Sequence, residues 1–165
     1  MSSTEKALHF EPEHKEKIKE ICSRYPADYP QAALLPLLHL SQEIFGYISP
    51  EVMVLISEEL GVAISEIKEV VTFYTMFYEE PKGKYHIQIC HNLSCTLMGA
   101  ESLITYLEKR LGIKSGETTA DGRFSLSRME CLGACQEAPM LQLNDKYKLK
   151  LTPEKIVTLI DELSA

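Results

Sequence analysis

The stretch that decides the fold begins with Tyr85-His86-Ile87-Gln88-Ile89-Cys90-His91-Asn92-Leu93-Ser94-Cys95 and ends with Cys131-Leu132-Gly133-Ala134-Cys135. It carries four of the five cysteines in the 165-residue chain. Four residues separate the first cysteine pair, three separate the second, and 35 residues lie between the pairs. Each pair follows a segment with the alternating pattern of a strand, so we expect each pair in a loop at a strand end. Two such loops facing each other can present four thiolates to one metal centre.

Length and composition indicate a globular chain of one domain or two small ones. A hydrophobic content of 45% is ample for a packed core. The net charge of −7 argues against nucleic acid as a partner, because phosphate binding needs clustered Lys and Arg. It suits instead a basic patch on a protein partner.

Neither a membrane span nor a targeting segment is predicted. No run of about 18 apolar residues occurs, so we expect no direct membrane insertion. The N-terminus, Met1-Ser2-Ser3-Thr4-Glu5-Lys6, lacks an apolar signal core, and its acidic residue disfavours a transit peptide. We therefore expect a cytoplasmic protein, where paired cysteines more often bind metal or do redox chemistry than form disulfides.

The first half of the chain has the periodicity of a helical bundle. Apolar residues recur at helical spacing in four segments, residues 11–25, 31–45, 49–61 and 65–72. Cys22 falls on the apolar stripe of the first segment, where we expect a small buried hydrophobe and not a ligand. The aromatic run Phe73–Tyr78 is expected in the core, with docking on a partner as the alternative.

The second half changes pattern after the polar stretch 79–84, which contains Pro and Gly and indicates a boundary. Strands and helices then mix, and helical spacing covers residues 97–111 and the segment after Thr152. Strand patterns cover residues 85–89, 123–129, 140–143 and 146–151. The order predicts an α+β chain, with a helical bundle over residues 1–80 and a mixed sheet with flanking helices over residues 81–165.

Four thiolates in two loops are compatible with four kinds of chemistry. A thiol–disulfide oxidoreductase needs Cys-x-x-Cys at the start of a helix, and neither pair has that spacing. Disulfides are disfavoured by the reducing compartment. Structural zinc fits the spacings loosely and stays open as an alternative. An iron–sulfur cluster held by four cysteines is the favoured interpretation.

The composition of the loops supports a cluster, because a thiolate-ligated cluster is anionic and needs N–H donors. We expect Cys95 to lie immediately before a helix, whose free N–H groups and dipole favour negative charge. Gly133 and Ala134 let the backbone approach closely, and Pro139 stiffens the loop exit. His91 invites comparison with Rieske centres, in which two histidines replace two cysteines. Because four cysteines are present, we expect His91 to be a loop residue.

These motifs resemble a known family, the E subunit (NuoE) of bacterial NADH-quinone oxidoreductase, respiratory complex I. The resemblance extends from about Tyr25 through the final helix. The Cys-x₄-Cys segment differs from many relatives in one respect, since Asn92-Leu93-Ser94 stands where they often carry Pro before the second cysteine. The matching residues are Ala33-Leu34-Leu35-Pro36-Leu37-Leu38-His39-Leu40, Gln42-Glu43, Gly46-Tyr47-Ile48, Val71-Thr72-Phe73-Tyr74-Thr75-Met76-Phe77, both cysteine pairs and Ala138-Pro139.

The resemblance implies a helical N-terminal domain followed by a thioredoxin-like ferredoxin domain. It implies one [2Fe-2S] cluster on Cys90, Cys95, Cys131 and Cys135. It also implies docking on the FMN- and NADH-binding subunit (NuoF-like) as a direct heterodimer partner, among other subunits of the peripheral arm. FMN and NADH would then lie on that partner. The chain would sit on the cytoplasmic, inner face of the plasma membrane through the complex.

The predicted function is therefore electron transfer within NADH-quinone oxidoreductase. The chain shows no Ser-His-Asp or Cys-His nucleophile set, phosphate-binding Gly loop or dinucleotide fingerprint, so we expect no catalytic residues on it. The alternative is the homologous iron–sulfur subunit of a soluble NAD-linked or electron-bifurcating hydrogenase or formate dehydrogenase. A zinc-stabilised interaction module is the third possibility.

Overall fold

The computed structural model describes residues 8–164, and these form two compact units. The first unit ends at Pro81 and the second begins at Lys82. The N-terminal segment Met1–Lys6, for which no targeting role is predicted, lies outside the described residues. Within the described part of the chain, no helix is long and apolar enough to cross a membrane.

Over residues 8–81 the first unit contains four α-helices, as the periodicity predicts. Their ends carry the signals that the sequence contains: the Ser49 side chain accepts a hydrogen bond from the Val52 N–H at 3.3 Å, and Gly46 ends a helix in the left-handed region at φ +83°. A 3₁₀ turn, Pro30–Ala33, leads into the second helix. The helices are α1 (Pro12–Ser23), α2 (Leu34–Phe45), α3 (Pro50–Leu60) and α4 (Ile64–Phe73).

The core of this unit is largely aliphatic, and five large aliphatic side chains at the predicted apolar positions or close to them are fully buried. Burying each of them stabilises the fold by about 1.5–3 kcal/mol relative to exposure. Pro36 lies in the first turn of α2, where its missing N–H costs no helical hydrogen bond. The five residues are Leu37, Leu38, Ile48, Ile56 and Ile67.

The aromatic run that follows α4 is divided between core and surface. Phe77 is buried, and its ring lies 5.0 Å from the His39 ring and 6.4 Å from the Tyr74 ring. Phe73, by contrast, is 77% exposed. The core interpretation is confirmed for Phe77 and wrong for Phe73.

Over residues 82–164 the second unit is a four-stranded mixed sheet with three α-helices and a 3₁₀ turn, Cys135–Glu137, which confirms the predicted α+β class. The strand order is β2-β1-β3-β4. β1 runs parallel to β2 and antiparallel to β3, and β3 forms a hairpin with β4. The strands are β1 (Tyr85–Cys90), β2 (Phe124–Met129), β3 (Leu141–Leu143) and β4 (Lys146–Lys148). The helices are α5 (Leu93–Leu97), α6 (Ala100–Leu111) and α7 (Pro153–Ser164).

The central strand β1 is buried on both faces. Its apolar residues Ile87 and Ile89 are fully buried, and its polar residues His86 and Gln88 are each only 5% exposed. The alternating pattern is therefore that of a strand, but its polar side does not face solvent. The His86 ring nitrogen Nε2 lies 2.8 Å from the Ser127 hydroxyl oxygen, within hydrogen-bonding distance.

The helix predicted over residues 97–111 is shorter in the structure, and Leu97 belongs to a separate short helix. α5 ends at Leu97, and α6 begins at Ala100. Gly99 lies between them with φ +91°, a left-handed conformation that a continuous helix does not permit. Leu97, expected on the buried stripe, is consequently 77% exposed.

Gly83 sets a close contact between the segment before β1 and strand β2. A Cβ at this position would lie 2.8 Å from the Phe124 carbonyl carbon. We predict that Gly83→Ala destabilises the protein by about 1–3 kcal/mol, because backbone must move to admit the methyl group. The exposed neighbour provides the control, since Lys84→Ala should change stability by no more than about 0.5 kcal/mol. Equal thermal unfolding midpoints for the two variants would contradict this.

The His86 side chain should stay neutral at pH values well below those at which histidine is usually protonated. Burial, reinforced by the positive charge of Lys82, lowers the pKa of His86 to about 4. Because the unfolded chain then binds a proton that the native state does not, stability should fall as the pH drops from about 6.5 towards 4. We predict that the ring signals of His86, assigned by their loss in His86→Gln, do not titrate in NMR spectra between about pH 7.5 and 5.5. A midpoint near the ordinary histidine value would refute this.

Candidate metal centre

The two cysteine pairs lie at one edge of the sheet because β1 and β2 are parallel. Parallel strands end at the same edge, and here Cys90 is the register partner of Met129. Cys90 is the last residue of β1, and Cys131 follows the end of β2 by two residues. The two loops thus start side by side, as predicted from the strand patterns.

The second cysteine loop also returns to β1 on its other side. The chain from Glu130 to Met140 leaves β2, passes the end of the central strand and enters β3. The Cys90 N–H donates to the Met140 carbonyl oxygen at 3.2 Å. Cys90 is therefore flanked by both ends of the loop that carries the other pair.

The first loop contains the short helix α5, and Cys95 is its third residue. The expectation that Cys95 immediately precedes a helix is therefore wrong. The cause is the break at Gly99, which separates one turn of helix around Cys95 from the long helix α6. Asn92 caps α5, because its side-chain oxygen accepts a hydrogen bond from the Leu93 N–H at 2.8 Å. Cys90 and Cys95 are both buried, at 2% and 1% exposure.

The second loop holds its two sulfurs close together near the surface. Cys131 and Cys135 are exposed, and their Sγ atoms are 3.6 Å apart. Two thiolates on one tetrahedral metal, with bonds of about 2.3 Å, would be about 3.8 Å apart. Gly133 adopts φ +80°, and its N–H lies 3.4 Å from the Cys131 sulfur as a donor. The close backbone approach expected at Gly133 is thus present.

The two pairs also influence each other. Burial raises the pKa of Cys95 to about 11, and hydrogen bonding to Cys90 and the charge of Cys135 act in the same direction. The pKa of Cys135 is raised chiefly by its hydrogen bond to Cys131, with the charge of Cys90 contributing. A hydrogen bond from Ser94 to Cys135 partly offsets this. Ionising Cys95 or Cys135 is therefore costly beside the neighbouring sulfurs unless positive charge is supplied.

The remaining candidates take other roles. Cys22 belongs to the first unit, where it packs partly buried against the core. Burial and the charge of Glu59 raise the pKa of the Cys22 thiol, as befits the predicted hydrophobic role. His91 lies beside Glu130, with 3.6 Å between its Nε2 atom and the nearer carboxylate oxygen. Among residues 8–164, no three His, Cys, Asp or Glu side chains converge as ligands of a single metal ion.

Comparison with known proteins identifies the family. The model of the thioredoxin-like [2Fe-2S] ferredoxin family matches residues 18–164. The chain belongs to this family. Its cofactor is accordingly a [2Fe-2S] cluster, and the resemblance seen in the sequence motifs is confirmed.

Curated relatives cover nearly the whole chain. One of them, the E 2 subunit of NADH-quinone oxidoreductase from Rhizobium meliloti, is 41% identical over 151 residues, which are 92% of this chain and 89% of the relative. The E subunit of the same complex from Rickettsia felis is 41% identical over 94% of this chain and 93% of its own length. Subunit 2 of the complex from Thermus thermophilus is 40% identical over 96% of this chain and 88% of its own.

A solved structure shares the fold. A chain of an NAD⁺-reducing [NiFe]-hydrogenase in the air-oxidised state superposes with a TM-score of 0.71 at 24% identity. The match covers 79% of this chain and 22% of the hydrogenase chain, so this protein corresponds to about a fifth of that polypeptide.

The residues present fit a [2Fe-2S] cluster. The donor set consists of four cysteine sulfurs in two pairs, which is the ligand set that such clusters take. The Gly133 N–H donates to the Cys131 sulfur, and the backbone of Met140 partly offsets the rise in the pKa of Cys95. Such interactions stabilise negative charge on thiolates. A cationic iron centre would reverse the rise in the pKa values of Cys95 and Cys135.

Two residues of this edge were not predicted from the sequence. Asn92 is a preferred N-cap residue type, and its place before Leu93-Ser94-Cys95 is a signal that can identify it. Glu130 contacts the first loop through its side chain, although nothing in the local pattern marks it. Its contacts depend on the pairing of strands that are far apart in the sequence.

The cysteine assignment predicts opposite outcomes for two substitutions. Cys131→Ala removes a ligand, so the purified protein should lose most of its iron and its visible absorbance. Cys22→Ser is the matched control and should retain both, because Cys22 packs in the first unit. Full iron and an unchanged spectrum in Cys131→Ala would refute the ligand set, and loss of iron in Cys22→Ser would refute the control's role.

Proposed function

We propose that this chain is the electron-transfer subunit of an NADH-quinone oxidoreductase. The observation that carries the proposal is the meeting of two cysteine pairs at one sheet edge. It occurs in a chain about 40% identical over most of its length to subunits of that complex. The proposal also treats residues 1–80 and 81–165 as two separate domains.

In this proposal Cys90, Cys95, Cys131 and Cys135 hold the cluster. When bound, the cluster would accept and release single electrons at a potential of the order of −400 mV. Burial of Cys90 and Cys95 keeps water from one side of the site. Exposure of Cys131 and Cys135 leaves the other side open towards an electron donor or acceptor. The Gly133 N–H and the backbone of Met140 stabilise the negative charge of the sulfurs.

The proposed direct partner is the FMN- and NADH-binding subunit, within a peripheral arm that contains further subunits. The surface beside Cys95 supports docking on a protein, because Leu93 and Leu97 of α5 are 70% and 77% exposed. NADH oxidation then belongs to the partner, and this chain supplies no catalytic acid, base or nucleophile. The assembly would hold the chain at the inner face of the plasma membrane, without nucleic acid as a partner.

A soluble hydrogenase is the second candidate. It is favoured by one observation, the shared fold with part of an NAD⁺-reducing [NiFe]-hydrogenase chain. A soluble NAD-linked or bifurcating hydrogenase or formate dehydrogenase would use the same cluster edge beside a flavin. The two candidates differ in the proteins that accompany the chain.

The proposal is tested by asking how the cluster becomes reduced. The chain is purified anaerobically from its native host through an affinity tag, both alone and with its co-purifying partners. We predict that NADH produces the EPR signal of the reduced cluster only in the complex, whereas dithionite produces it in both samples. Reduction of the isolated chain by NADH would contradict the proposal, because it would place the NADH site on this chain. Co-purification with hydrogenase subunits in place of quinone reductase subunits would favour the second candidate.

A further inference from the structure

The two cysteine loops are joined by side chains as well as by the sheet. Regular pairing of β1 with β2 ends at Cys90 and Met129, and one further backbone bond follows, from the His91 N–H to the Met129 carbonyl oxygen at 3.0 Å. Beyond that point Glu130 contacts the opposite loop. It is the residue directly before Cys131.

Glu130 receives contacts from three residues of the first loop. Its backbone carbonyl accepts a hydrogen bond from the Cys90 thiol at 2.9 Å. One carboxylate oxygen accepts from Asn92 Nδ2 at 3.4 Å, and the other lies 3.6 Å from His91 Nε2. The thiol contact needs a proton that a metal-bound thiolate lacks, whereas the contact with Asn92 does not depend on the protonation of cysteine.

Both ends of the Asn92 side-chain amide make hydrogen bonds at the surface. The oxygen accepts from the Leu93 N–H at 2.8 Å, which caps α5, and the NH₂ group donates to Glu130. Since α5 carries Cys95, the amide connects that ligand's helix to the residue that precedes Cys131. The contact therefore links the segment that carries Cys95 to the segment that carries Cys131.

Attraction to a cluster does not explain an acid at this position. A carboxylate beside an anionic, thiolate-ligated centre is electrostatically unfavourable. What Glu130 supplies is a charged acceptor for Asn92, and charge-assisted hydrogen bonds are about twice as strong as neutral ones.

We propose that Glu130 and Asn92 are positioning residues that lock the two ligand loops together and slow the loss of the iron–sulfur cluster. The inference rests on the proposed function, because it requires that the four cysteines hold a cluster. Separation of the two cysteine pairs breaks up the set of four ligands and so releases iron. The contact between Asn92 and Glu130 opposes that separation.

A donor–acceptor exchange tests the lock. Asn92→Asp keeps a good N-cap for α5 but places a second carboxylate against Glu130. Iron release to a ferrous chelator under dithionite should become about fivefold faster or more, because like charges now face each other. Glu130→Gln leaves only a neutral acceptor for Asn92, so release should be about two- to threefold faster.

The double variant Asn92→Asp/Glu130→Gln tests whether the two residues act through their contact with each other. It restores a charge-assisted bond with donor and acceptor exchanged, so its release should be slower than that of Asn92→Asp alone. The g values of the reduced cluster should shift in Asn92→Asp and return in the double variant. If Asn92→Asp fails to load iron, restored loading in the double variant supports the lock equally.

Two results overturn the inference. Release from Asn92→Asp at the wild-type rate would show that the contact does not hold the loops. A double variant no slower than Asn92→Asp would show that the two residues act independently. A wild-type chain without iron and sulfide would instead overturn the proposed function, and the inference with it.

Discussion

The parallel pairing of β1 with β2 is the constraint on which the site depends. The two cysteine pairs are separated by 35 residues, and local structure alone does not bring them together. The register that sets Cys90 beside Met129 starts both loops from neighbouring positions at one edge. The return of the chain through β3 then encloses Cys90 between the two ends of the second loop. A shift in this register would separate the pairs, whatever the spacing of the cysteines within each loop.

The burial of β1 fixes the register of its pairing with β2. The side chains on both faces of β1 are buried. A slip of one residue in the strand pairing would move Ile87 and Ile89 to the face that now buries His86 and Gln88, and the two polar side chains to the apolar face. At the edge that this strand presents, burial and close sulfurs raise the pKa values of Cys95 and Cys135, so ionising these thiols is unfavourable without a cation. Scaffold packing thus holds together four groups that repel one another when ionised, and a cationic centre turns that repulsion into ligation.

Much of this could be predicted from the sequence because the signals were local. Helical periodicity predicts the four helices of the first unit, and the alternating pattern predicts the four strands of the second. The cysteine spacing and the surrounding motifs gave the ligand set that we propose.

Three features of the structure could not be predicted from the sequence, because their causes are not local. The apolar residues keep helical spacing across Gly99, but the backbone breaks there, so Cys95 lies in a separate short helix. The burial of the polar side of β1 depends on packing from both faces. The contacts of Glu130 depend on strand register.

The most direct test of the cluster assignment is the iron and acid-labile sulfide content of anaerobically purified protein, with EPR spectra before and after reduction by dithionite. We predict two irons and two sulfides per chain, with no signal when oxidised and a rhombic signal when reduced, as for one [2Fe-2S] cluster. Zinc without sulfide, in protein never exposed to air, would contradict it. The chain would then be a structural adaptor, and the meeting of the two cysteine loops would serve stability and not electron transfer.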